Sequence, residues 1–175
     1  MVPLQSFLGE LFIDGLTTYA ILDGAQLPDL PQRLHTSGLE YICLYRGQIP
    51  DDLAQVAPYL VMLKRDDNFT KFILEQGWGK AWGIYARAEA TIGLQGIRRH
   101  FRTFLMVERP GGGPMYFRYY DPRIMRVYLP TCNRDEQRIV FGPLDSYVIE
   151  DDAPDRLMRF YIRQTHVIVE SVSIR

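Results

Sequence analysis

The residues of this chain best suited to acid–base work or metal ligation are His35, His100 and His166. They lie far apart, and none has a second histidine or cysteine at ligand spacing. No metal centre is expected, and each imidazole should be solvated or serve a local cap. Ser6, Ser37, Ser146, Ser171 and Ser173 include no Gly-x-Ser-x-Gly nucleophile elbow, so hydrolysis by an activated serine has no anchor. Gly111-Gly112-Gly113 has the composition of a phosphate cradle but lacks the lysine and following helix of one, and reads as a hairpin tip. Among carboxylates near strand ends, Asp121 is accounted for by helix capping and Asp23 by the turn chemistry of Asp23-Gly24. Only Glu108 lacks a local reason, and one acid makes no mechanism. No catalytic residue and no cofactor is expected. The remaining concentration of chemistry is Arg98-Arg99-His100-Phe101-Arg102. A solvated helical face is the plain reading, and a grip on an acidic patch of a protein partner, through paired guanidinium contacts, is the sharper one.

The body that must carry these residues has 175 amino acids, enough for one domain with a sizeable core. Its 20 basic and 21 acidic residues give a formal charge of -1, which calls for neither nucleic acid nor an anionic membrane. Cys43 lies in an apolar run and Cys132 follows a proline turn, suggesting one buried thiol and one near a loop, both in a reducing compartment. Residues 1–14 carry no basic leader followed by a long apolar core, and no stretch approaches the roughly 18 apolar residues of a spanning helix. The expectation is a cytoplasmic protein.

Along the chain, 17–22 reads as a buried strand ending at Asp23-Gly24, and Leu27, Leu30 and Leu34 recur at helical spacing before Gly38. Strands follow at 40–44 and 59–63, with a short helix after Pro50 between them. A helix from Asn68 to Gly77 carries Phe69, Phe72 and Ile73 on one face, and another at 92–102 buries Leu94, Ile97 and Phe101. Residues 104–120 form an antiparallel hairpin about a turn at 109–114, and Asp121-Pro122 then starts a helix that stops by Pro130. A short turn is expected at 136–140 and a strand at 145–149. The fold class is α/β or α+β: a mixed β-sheet with helices packed on it and the hairpin around 104–120. Residues 1–150 form the domain, and 151–175 an acidic turn and an extended tail packed on it.

Five motifs, in this order, resemble one family: Tyr19-Ala20-Ile21-Leu22-Asp23-Gly24-Ala25, Ala57-Pro58-Tyr59-Leu60-Val61, Gly77-Trp78-Gly79 with Trp82-Gly83, Phe117-Arg118-Tyr119-Tyr120-Asp121-Pro122-Arg123, and Phe141-Gly142-Pro143. Over about residues 17–150 the chain is similar to the type VI secretion effector chaperones or adaptors of the Tap or Tec type, long classed as a domain of unknown function. The resemblance implies a bacterial cytoplasmic protein that binds a toxic effector and helps load it onto the VgrG spike. It implies binding, not catalysis, and brings no catalytic residues with it. Many members continue into a larger, mainly helical second lobe. This sequence stops at Arg175, as a single-lobe form or as a fragment.

On this reading an aromatic and arginine-bearing surface meets the effector, the spike or both. Arg118, Tyr119, Tyr120 and Arg123 are the candidate contacts, because tyrosine and arginine dominate binding hot spots. Core packing of the tyrosines, with a salt bridge to Asp121, is the structural alternative. Two other classes stay open. One is an enzyme acting on a small ligand in a pocket lined by Trp78, Trp82 and Glu108. The other is a module that dimerises through an exposed edge at 167–174.

Overall fold

The computed structural model describes residues 4–174. In chain order the elements are α1 (Leu4–Leu11), β1 (Leu16–Asp23), α2 (Leu30–Ser37), β2 (Tyr41–Cys43), α3 (Asp51–Val56), β3 (Pro58–Met62), α4 (Asn68–Gly77), β4 (Gly83–Glu89), α5 (Gly93–Thr103), β5 (Met106–Glu108), β6 (Pro114–Tyr116), α6 (Pro122–Tyr128), α7 (Arg134–Phe141), β7 (Leu144–Glu150), β8 (Arg156–Arg163) and β9 (His166–Ser173). None of these helices is long and apolar enough to cross a membrane.

Helices lie on both faces of one sheet. Successive side chains of a strand point to opposite faces, so β1 sends Tyr19 and Ile21 into one core and Ala20 and Leu22 into another. On the first face they meet Ile97 and Phe101 of α5, Met125 of α6, and Val140 and Phe141 of α7. On the second they meet Phe7, Leu8 and Leu11 of α1, Leu30 and Leu34 of α2, and Phe69, Ile73 and Leu74 of α4. Burial on both sides explains why the strand is apolar without alternation. Each fully buried leucine or phenylalanine contributes roughly 1.5–3 kcal/mol.

The seven-stranded sheet runs β2-β3-β1-β4-β7-β8-β9, and every neighbouring pair is antiparallel. The class is α+β, within what the sequence leads one to expect. Alternating strands and helices need not build parallel pairs here, because β3 inserts between β1 and β2 and runs opposite to both. The tail continues this sheet: β8 pairs with β7 and with β9, so 156–163 is strand rather than helix. Cys43 is half-buried, and Cys132, expected near a loop, is the more buried thiol because the turn at Leu129–Thr131 folds it inward.

The hairpin forms, but as a two-stranded sheet of its own outside the main one. Its ladder pairs Met106 with Tyr116, Val107 with Met115 and Glu108 with Pro114. Gly111, Gly112 and Gly113 all have φ near +90°, a conformation that costs glycine least. The base is tied down where Phe117 donates its amide to the Leu105 carbonyl (2.9 Å), and Phe104 and Leu105 turn into the first core. The strands beyond that base stay exposed.

Candidate partner-binding groove

Helix α5 has two faces with different chemistry. Ile97, His100 and Phe101 are buried against the sheet, while Gln95, Arg98, Arg99, Arg102 and Thr103, at spacings of i, i+3, i+4, i+7 and i+8, form a polar stripe along the other side. This stripe and Arg46, from the loop after β2, line a depression of about 360 Å³. A second depression of about 400 Å³ shares Arg46, Arg102 and Thr103 and continues over Tyr45, Leu105, Met106 and Tyr116. The two make one groove, basic at one end and apolar at the other.

Arg102 forms the floor at the junction. Its Nε donates to the Leu44 carbonyl (2.8 Å), and a terminal nitrogen reaches the carbonyls of Cys43 (3.4 Å) and Tyr45. Burial, and then the positive charges of Arg98 and Arg46, lower this guanidinium from its ordinary pKa. Among the described residues, none of Arg46, Arg98, Arg99 and Arg102 has a carboxylate within salt-bridge distance. The Arg98 Nε is buried without a hydrogen-bond partner. Four like charges are thus held together with no counter-ion among the described residues. At the apolar end the Tyr45 and Tyr116 rings pack at 4.8 Å between centroids, and Met106 and Tyr116 remain 45% and 48% exposed.

The four contact candidates from the sequence separate. Tyr119 and Tyr120 are 0% and 2% exposed, so neither belongs to a surface that a folded partner touches. Tyr119 stacks on Phe101 at 5.4 Å, and its hydroxyl donates to the Phe101 carbonyl (3.1 Å). The core claims them because the chain turns inward after the hairpin. Arg118 and Arg123 do reach the surface, with side chains 42% and 59% exposed, but both are matched. Arg118 donates to the buried Asp23 at 2.5 Å, a bond that raises its pKa above the usual arginine value. Arg123 makes two side-chain bonds to Asp121 (2.9 and 2.7 Å) and a backbone bond (3.0 Å) that caps α6. Burial raises the Asp121 carboxyl, but these bonds outweigh it and hold the group below its ordinary pKa.

Trp78, Trp82 and Glu108 are not brought together. Trp78 packs against Phe7 and Trp82 against Phe72 on the second face of the sheet, whereas Glu108 is exposed on the hairpin over the first. The histidines also stay apart: His35 and His166 are exposed, and His100 is buried with its Nε2 2.9 Å from the Val140 carbonyl. Among the described residues no group of three or more His, Cys, Asp or Glu could hold a metal ion.

Sequence reasoning reaches the arginines of α5 but misses Arg46, Tyr45, Met106 and Tyr116 as their neighbours. The polar stripe at helical spacing was the available signal for α5, and nothing local marks Arg46. No curated protein and no solved structure matches this chain. The sequence model of the family described as Domain of unknown function (DUF4123) matches residues 18–138, well over half of the chain and every residue of the groove, and the chain belongs to that family.

Proposed function

We propose that this chain is an adaptor that binds a type VI secretion effector and helps load it onto the VgrG spike, acting by recognition rather than by catalysis. Its family is associated with effector adaptors of that system. The observation that carries the reading is the groove: arginines without counter-ions among the described residues, beside an exposed apolar hairpin. Unmatched like charges and exposed apolar side chains both cost the free protein, and a bound partner relieves both. Arginine and tyrosine are the side chains that binding hot spots favour. The effector or the spike is the macromolecule for which this face is kept.

The test is co-purification of the tagged chain with the product of an adjacent effector gene and with the spike. Recovery of a stoichiometric complex with either is expected. Recovery of neither, with both partners expressed and folded, would overturn the proposal. A second reading, self-association, is favoured by β9, which among the described strands pairs with β8 alone and stands at the edge of the sheet. Light scattering over a hundredfold concentration range separates the two, since an adaptor that works as a monomer keeps one mass throughout.

A further inference from the structure

We infer that the groove takes a short segment of the partner in which acidic residues stand next to bulky apolar ones. This inference rests on reading the chain as a protein-binding adaptor and adds the chemistry of what is bound. Arg98 and Arg99 at one end of the groove, and Arg46 at the junction, present guanidinium groups that no carboxylate of the described residues occupies. Guanidinium groups hold carboxylates in paired, directional bonds, and the low-dielectric wall of a depression strengthens them. At the other end Tyr45, Met106 and Tyr116 offer an aromatic and thioether surface that continues from Arg46 and Arg102 at the junction. Methionine adapts to side chains of different shape. The arrangement therefore fits a segment whose charge changes within a few residues from acidic to apolar.

Size and charge distribution favour a peptide. Depressions of about 360 and 400 Å³ hold a few side chains each, not a folded domain. A nucleic acid carries charge on every unit and would run from the arginines onto uncharged Met106 and Tyr116, and the whole chain has a net charge of -1. Arg102 adds charge at the floor but is committed to the carbonyls of Cys43, Leu44 and Tyr45, so gripping falls to the other three.

The probe is a fluorescein-labelled peptide with three successive aspartates followed by leucine and phenylalanine, measured by anisotropy against the full chain. Controls replace the aspartates by asparagines, replace the leucine and phenylalanine by serines, or use an oligothymidylate of equal charge. The wild type should bind the complete peptide at least about tenfold tighter than any control, with affinity falling as salt rises. R46E/R99E should lose about tenfold or more, R46Q/R99Q should lose in the same direction, and R123A should not change. Both charge variants lie on the surface, and unchanged unfolding midpoints show that they are folded. Equal binding of the asparagine peptide, tighter binding of the oligonucleotide, or unchanged affinity in both variants would overturn the inference. Failure here is distinct from failure of the adaptor reading. An effector captured equally by wild type and R46E/R99E removes the groove chemistry and leaves the adaptor. Peptide discrimination without capture of effector or spike does the reverse.

Discussion

Two groups of arginines lie on this molecule, and they differ in what faces them. Arg118 and Arg123 sit over buried carboxylates, Asp23 and Asp121, at 2.5 and 2.7 Å. Arg46, Arg98 and Arg99 face one another across a groove with no carboxylate in reach among the described residues. The first group fastens the end of β1 and the start of α6 to the chain that follows the hairpin. The second fastens nothing by an ion pair. Exposure alone would rank Arg123 as an attractive contact, but a guanidinium already engaged by two oxygens must give up those bonds to make new ones. Availability of charge, rather than its exposure, distinguishes a binding arginine from a structural one.

Substitutions can break or sharpen that contrast. The largest effect is expected at Tyr119, which the sequence offers as a contact and the core encloses. Tyr119→Ala should destabilise by about 3–5 kcal/mol in urea unfolding, as for other large aromatic truncations, and a change below about 1 kcal/mol would return Tyr119 to the surface group.

Next comes His100, on the buried face of the helix whose other face carries the arginines. Burial lowers its imidazolium from 6.5 to about 4, although the Val140 carbonyl pulls the other way. Because the folded pKa lies below the unfolded one, the unfolded chain takes up the proton first. The stability due to a neutral His100 is complete above the unfolded value of 6.5 and is lost as pH falls toward about 4, by up to about 3 kcal/mol. Unfolding measured between pH 7.5 and 4 should show this slope, and His100→Gln should flatten it. The depressed carboxyl of Asp121 loses its contribution only at lower pH, as the solution falls through its folded pKa.

Asp121→Ala removes both the cap of α6 and the partner of Arg123, and should cost about 1–2 kcal/mol with α6 fraying first. The smallest effect belongs to the unmatched group. Arg46→Ala and Arg99→Ala should change stability by no more than about 0.5 kcal/mol, because each removes an exposed guanidinium that makes no ion pair among the described residues. A loss above about 1 kcal/mol would place these residues with the structural arginines.

Much of the scaffold could be read from local signals. Pro58, Gly38, the Asp23-Gly24 turn and Asp121-Pro122 mark boundaries found close to where they stand. Helix α7 was open to the same reading: Asn133 with Glu136 forms a capping box and supports eight residues of helix where only a turn at 136–140 is expected from the apolar spacing. The pairing of the sheet was less legible. A strand buried on both faces looks alike in parallel and antiparallel company, and neighbour order depends on β3 entering between β1 and β2. The groove was half legible. The stripe on α5 follows from helical spacing, but Arg46 meets it only through the path of the loop after β2. Tyr119 and Tyr120 show the limit of residue type, since tyrosine suits a core and a wet surface equally well.

Arg102 ties the groove to β2, one of the two edge strands of the sheet. β2 is three residues long and among the described strands has a neighbour on one side only, and the carbonyls of its last residue, Cys43, and of Leu44 just after it accept from a side chain of α5. Amide exchange along residues 41–45 should therefore report on traffic in the groove: whatever tightens the floor slows the fraying of that strand, and whatever draws Arg102 away lets the margin of the sheet peel.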